Sequence, residues 1–165
     1  MFLILLITIL YIVFNIATII LFGIPKSLSE TFYLFKNKKE WMKIFFPLML
    51  LSIGCCLLPY WLNLTNNTNF QFLPFLSLLC ILLTSFSPSF RSNFLEKKVH
   101  SISATCSAIF AMLWIIIATN LWWLMIIWFF IFLVLAYLTK TLKKSKIYWL
   151  ENIAILSICT VLLLS

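Results

Sequence analysis

Six apolar runs, each close to the length of a membrane span, fill this chain: Phe2–Phe22, Ile44–Leu62, Phe70–Phe86, Val99–Ala118, Leu121–Leu138 and Ile147–Ser165. Roughly 20 apolar residues of helix cross a bilayer core of about 30 Å, so each run predicts one transmembrane helix. Such segments use most of the chain, because 64% of its 165 residues are hydrophobic and only 10% are charged. A soluble domain, about half apolar and a quarter charged, could not hide that much apolar surface. The expectation is an all-α integral membrane bundle of six transmembrane helices forming a single domain over 1–165. The third run is the shortest and carries Pro74.

The connections between the runs supply a second constraint. Lys26, Lys36, Lys38, Lys39 and Lys43 follow the first run, Arg91, Lys97 and Lys98 the third, and Lys140, Lys143, Lys144 and Lys146 the fifth. These are all 12 basic residues of the chain, and Asn63–Asn69 and Thr119-Asn120 hold none. Basic residues beside span ends accumulate on the cytoplasmic side, which predicts a multi-pass protein of the cell membrane with both termini outside. The net charge of +8 is thus read as orientation beside anionic lipid, and with no basic domain to offer a groove, nucleic acid is not an expected partner. The first run is too long for a signal-peptide core and has neither a preceding basic stretch nor a small-residue cleavage site, so it is expected to remain as a helix. Trp41, Trp61, Trp122, Trp123 and Trp149 lie near run ends, where interfacial anchors belong. Cys55, Cys56, Cys80, Cys106 and Cys159 all fall in apolar runs without CxxC spacing, so disulfides, a zinc site and any other metal or cofactor are not expected.

Four segments could carry chemistry. Ser27-Leu28-Ser29-Glu30 has capping-box spacing, and Leu28, Phe32 and Phe35 share one face opposite Lys36, Lys38 and Lys39. That pattern predicts one short interfacial helix from Ser27 to about Lys36, with Ser27, Ser29 and Glu30 serving as caps or as contacts to a lipid headgroup. His100 opens the fourth run and is followed at helical spacing by Ala104, Ser107, Ala108 and Ala111, a stripe of small residues on which membrane helices approach closely. Glu151 lies inside the last run on a face with Ala154 and Ser157. An acid at that depth is costly unless paired or hydrated, and it either snorkels, caps its helix or functions. With Glu30 and Glu96, His100 and Glu151 make one polar focus possible near the cytoplasmic side, the histidine as acid or base and a carboxylate orienting it. No GxSxG or HExxH pattern accompanies them. Asn15, Thr18, Ser52, Gln71, Ser77, Thr84, Ser85 and Asn152 are expected mostly to join helices by hydrogen bonds. Asn63-Leu64-Thr65 and Asn66-Asn67-Thr68 fit the glycosylation acceptor pattern.

Gly23-Ile24-Pro25-Lys26-Ser27-Leu28-Ser29-Glu30-Thr31-Phe32-Tyr33, with Asn69-Phe70-Gln71-Phe72-Leu73, Ser87-Pro88-Ser89-Phe90 and Val99-His100-Ser101-Ile102-Ser103-Ala104, resembles a set of small uncharacterised membrane proteins of gut bacteria and their phages. The resemblance covers about the first two-thirds of the chain and implies no particular activity. Ser29, Glu30, Thr31, His100 and Ala104 are also similar to a pattern in the six-span family of damage-regulated autophagy modulators and GPI-anchor remodelling proteins, which implies lipid-linked work. That family carries Asp where this chain has Glu30, and its motif is expected on the opposite membrane face. The resulting expectation is a non-enzymatic protein that binds or senses lipid at the cytoplasmic leaflet. A lipid-modifying enzyme using His100 and Glu151, and a small transporter or channel subunit, are the alternatives. Membrane lipids are the expected partners, and a second copy or another membrane protein remains open.

Overall fold

The computed structural model describes residues 1–66, 69–86 and 94–165, all of its regular structure helical. The helices are α1 (Phe2–Phe22), α2 (Glu30–Lys38), α3 (Phe45–Thr65), α4 (Phe72–Phe86), α5 (Phe94–Ala118), α6 (Trp123–Leu138) and α7 (Lys146–Leu164), with a 3-10 turn at Glu40–Ile44 leading into α3. By length and composition four segments can cross a membrane: α1, Glu40–Thr65, α5 and α7. The runs expected to give the third and fifth spans form apolar helices of only 15 and 16 residues, α4 and α6.

Local chemistry explains the boundaries. Gly23 ends α1 with φ of 76° while its N–H bonds to the Ile19 carbonyl, a backbone conformation that favours glycine. The following Ile24-Pro25 pair disfavours helical continuation. Pro74 sits in the first turn of α4, where its missing N–H costs no helical bond. Pro59 lies inside α3 and removes one bond from the helical ladder.

The exterior is far more apolar than a soluble protein's, and polar side chains join the apolar ones inside. On α1, Leu5, Ile9, Ile12, Val13, Ile16 and Ile20 face outward while Thr8, Asn15 and Thr18 are buried. Across the other helices the buried set includes Ser77, Thr84, Ser85, His100, Ser103, Ser107, Asn152 and Ser157, whereas Phe129, Phe130, Val134 and many other large apolar side chains lie on the surface. Apolar surroundings solvate such an exterior, and these polar groups bond within the bundle, except the Ser157 hydroxyl, which has no partner among the described residues.

α7 is the centre of the bundle. More than half of its most apolar window, 56%, is buried, against 22 to 33% for the other three long segments. It packs on α1, α3, α5 and α6. Its junction with α1 is a closed circuit of hydrogen bonds. The Tyr11 hydroxyl donates to Asn152 Oδ1 at 2.8 Å, and Asn152 Nδ2 donates to the Tyr148 carbonyl at 2.8 Å. The Tyr148 hydroxyl donates to Asn15 Oδ1 at 2.8 Å, and Asn15 Nδ2 donates to the Tyr11 carbonyl at 2.9 Å. Each helix contributes a Tyr and an Asn four residues apart, and the antiparallel pairing lets each tyrosine meet the other helix's asparagine.

Elsewhere α3 and α4 meet at Gly54, where a Cβ would come within 2.5 Å of Leu78 Cδ1. α4 is tied to α5 by the Ser77 hydroxyl, which donates to the Ser107 carbonyl at 3.0 Å, and by Thr84 and Ser103, whose hydroxyls lie 2.9 Å apart. Trp128 of α6 donates to the Thr160 hydroxyl of α7 at 3.0 Å. Thr18, Ser52 and Ser85 instead bond to carbonyls of their own helices.

Candidate functional site

The segment between α1 and α3 folds back onto the bundle end. Ser27 Oγ accepts from the Glu30 N–H at 3.2 Å, and the Glu30 carboxylate accepts from the Lys26 N–H at 2.6 Å. The two side chains thus cap adjacent turns as their spacing suggests, although Glu30 reaches one residue further back than a capping box requires. The helix begins at Glu30 with Ser29 as its cap, so Ser27–Ser29 are turn residues. Leu28, Phe32 and Phe35 are buried as one apolar side. The Phe35 ring lies 5.2 Å from that of Phe22 and 5.9 Å from that of Phe45, which fixes α2 across the ends of α1 and α3.

This anchoring carries the turn into α7 and α5. The Tyr148 N–H donates to the Lys26 carbonyl at 3.1 Å, satisfying one donor of the α7 N-terminus. The Leu28 N–H donates to Glu151 Oε2 at 2.6 Å. Next along the chain, Ser29 Oγ lies 2.6 Å from His100 Nε2, and His100 Nδ1 lies 3.1 Å from the Thr84 carbonyl oxygen. A carbonyl oxygen only accepts, so Nδ1 carries the proton. In the neutral ring Nε2 is then the acceptor and the Ser29 hydroxyl donates to it. Ser29 and His100 are 5% and 6% exposed, so the pair is shielded from bulk water.

Beside this pair begins an elongated, open-sided cavity with about 80 Å³ of enclosed space. Leu28, Ser29, Thr84 and Glu151 line one part of it, while Leu50, Leu57, Ile81, Ala111, Ile155 and Ile158 are among its apolar walls. On α3 the lining runs from Phe46 to Trp61, roughly 22 Å at a rise of ~1.5 Å per residue. Trp61 is 2% exposed, and its indole N–H has no hydrogen-bond partner among the described residues.

The sequence-derived candidates thus separate. Ser29 and Glu151 line the cavity, His100 stands behind Ser29 and bonds to it without entering the lining, and Ser27 and Glu30 hold the turn that presents Ser29. Among the described residues the Thr84 carbonyl holds His100 Nδ1, and Glu151 bonds to the backbone one residue before Ser29. Glu96 lies in the first turn of α5, outside the cavity lining. The stripe Ala104, Ser107, Ala108 and Ala111 faces the cavity, so its small side chains leave space there as well as permitting close helix approach. Trp61 and Trp149 are buried, unlike interfacial anchors, whereas Trp41, Trp122 and Trp123 are exposed. Among the described residues no group of His, Cys, Asp and Glu side chains is arranged to hold a metal ion. Arg91, Ser87–Phe90 and the Asn67-Thr68 part of the second acceptor pattern lie outside the described residues.

No protein-family model, curated protein or solved structure matches the chain.

Proposed function

We propose that this chain is a six-span protein of the cell membrane, both termini outside, that takes one hydrocarbon chain of a membrane lipid into its interior cavity and holds the lipid's polar part at Ser29, His100 and Glu151 near the cytoplasmic leaflet. The observation that carries this reading is the shape and polarity of the cavity. It is elongated and apolar along α3, α5 and α7, and it is lined by the Ser29 hydroxyl, itself bonded to the His100 ring, and by Glu151. A flexible apolar chain with one polar end matches such a space better than a compact polar solute does.

The orientation rests on the lysines. Lys26, Lys97, Lys98, Lys140, Lys143 and Lys144 belong to segments tied together at the Ser29 end of the bundle, through the contacts of Tyr148 with Lys26, of His100 with Ser29, and of Trp149 with Thr141. A basic rim at that end would also attract anionic headgroups. In this arrangement α4 and α6 are short spans whose deficit is absorbed by local thinning of the bilayer. A transport path would call for a continuous polar route. The Leu50, Ile53, Leu57, Ile155 and Ile158 walls offer an apolar one.

The test is cross-linking by a fatty acid with a photoreactive group on its chain, added to the purified protein in phosphatidylglycerol vesicles. Attachment is expected at Leu57, Ala108 or Ile158, and Ala108→Trp should abolish it by filling the cavity. Attachment confined to outward residues such as Ile109 and Ile116, unchanged by Ala108→Trp, would refute interior binding.

A further inference from the structure

The lipid-binding reading leaves the Ser29–His100 pair without a purpose that binding requires. A headgroup could be held by the hydroxyl or the ring separately. Here they are instead bonded to each other at 2.6 Å, in the donor–acceptor sense that activates a hydroxyl. We infer that Ser29 is a nucleophile toward acyl esters of membrane lipids, with His100 as its general base, so that the cavity is the acyl site of an intramembrane esterase or acyl-transfer enzyme. This inference rests on the lipid-binding reading for its substrate class and on separate geometry for its chemistry.

Three features of that geometry agree. A serine hydroxyl is a weak nucleophile until a neighbouring base takes its proton, and His100 Nε2 is placed to do so. A base must itself be held in the right tautomer by a third group, and the Thr84 carbonyl holds Nδ1–H at 3.1 Å. Ser29 also caps the nine-residue α2, so the positive end of that helix lies beside the oxygen on which negative charge develops when a carbonyl is attacked. The nucleophile lines the cavity, and a chain seated along α3 would bring its carboxyl end toward Ser29.

The reaction balances without a redox partner. Ser29 Oγ forms a bond to the ester carbonyl carbon as its proton passes to His100 Nε2. The carbon–oxygen bond to the alcohol breaks, and the departing alkoxide takes that proton from His100. Water, or a second lipid hydroxyl in a transfer reaction, then attacks the Ser29 ester. His100 accepts its proton and returns it to Ser29 Oγ as the acid or new ester leaves.

The decisive measurement uses a fluorophosphonate bearing a long alkyl chain, which phosphonylates activated serines, on the full-length protein in phosphatidylglycerol vesicles. Wild-type protein should acquire one adduct, mapped by peptide mass spectrometry to Ser29. Ser29→Ala should abolish it, and His100→Ala should slow it by about 100-fold or more. The photoreactive fatty acid, run in parallel on wild-type protein, reports interior binding, and an unchanged helical circular dichroism spectrum and thermal transition of Ser29→Ala show that this variant is folded. Wild-type protein that cross-links the fatty acid inside the cavity yet gives no Ser29 adduct would overturn the nucleophile while preserving the binding reading. Loss of interior cross-linking in wild type would remove the binding reading itself. An adduct at Ser29 that His100→Ala leaves equally fast would overturn the role of the histidine.

Discussion

At the scale of single residues, the bundle's polar groups divide by whether their partners lie nearby in sequence. Ser27 and Glu30 could be assigned as caps because their partners are within four positions. The Ser29–His100 bond joins residues 71 positions apart. Nothing in their local spacing announces it, and only the fold of α2 across the bundle end brings them together. Trp61 and Trp149, whose places near run ends predict interfacial anchors, are buried, because an indole near a span end suits a packed core as well as a lipid interface. The ring that Tyr11 and Asn15 form with Tyr148 and Asn152 yields the prediction proper to this scale. Tyr11→Phe and Tyr148→Phe should each lower unfolding stability in bicelles by ~0.6 kcal/mol, a typical value for one hydrogen bond between membrane helices. Because the four bonds form one circuit, the double variant should depart from additivity. Strict additivity would show that the two halves act independently.

At the scale of elements, the sequence revealed where helices lie more readily than how they meet. Apolar runs located α1, α3, α5 and α7 to within a few residues, since length and composition alone determine them. The face of Leu28, Phe32 and Phe35 anticipated the buried side of α2, although the 3-10 turn beside it left no such signature. Pairing was harder to read. Gly54 gives no periodic signal, yet it sets the approach of α3 to α4, because any larger side chain meets Leu78. Gly54→Val is accordingly expected to destabilise the protein by about 1–3 kcal/mol through overpacking. Adding Leu78→Ala should recover part of that loss, since the obstructing atom is the tip of a flexible side chain. A compensating change that gave no recovery would place the strain elsewhere.

At the scale of the whole molecule, the distribution of basic residues makes the orientation testable. In a variant lacking the five native cysteines, a membrane-impermeant thiol reagent applied from outside should label Cys introduced at Asn66, which is exposed, and miss Cys introduced at Lys143. The opposite pattern would invert the proposed topology and move Ser29 and His100 to the outer leaflet. The central position of α7 has a further consequence for biosynthesis. This helix follows in sequence every element it packs against, so α1, α3 and α5 emerge from the ribosome before the helix that each of them packs on. Tyr11 and Asn15 must wait in the bilayer without their eventual partners, and the chamber wall contributed by Glu151, Ala154 and Ile158 is added after the others. Maturation therefore resembles setting a keystone: α3, α4 and α5 already meet one another directly, and α7 closes the assembly onto α1 and α6.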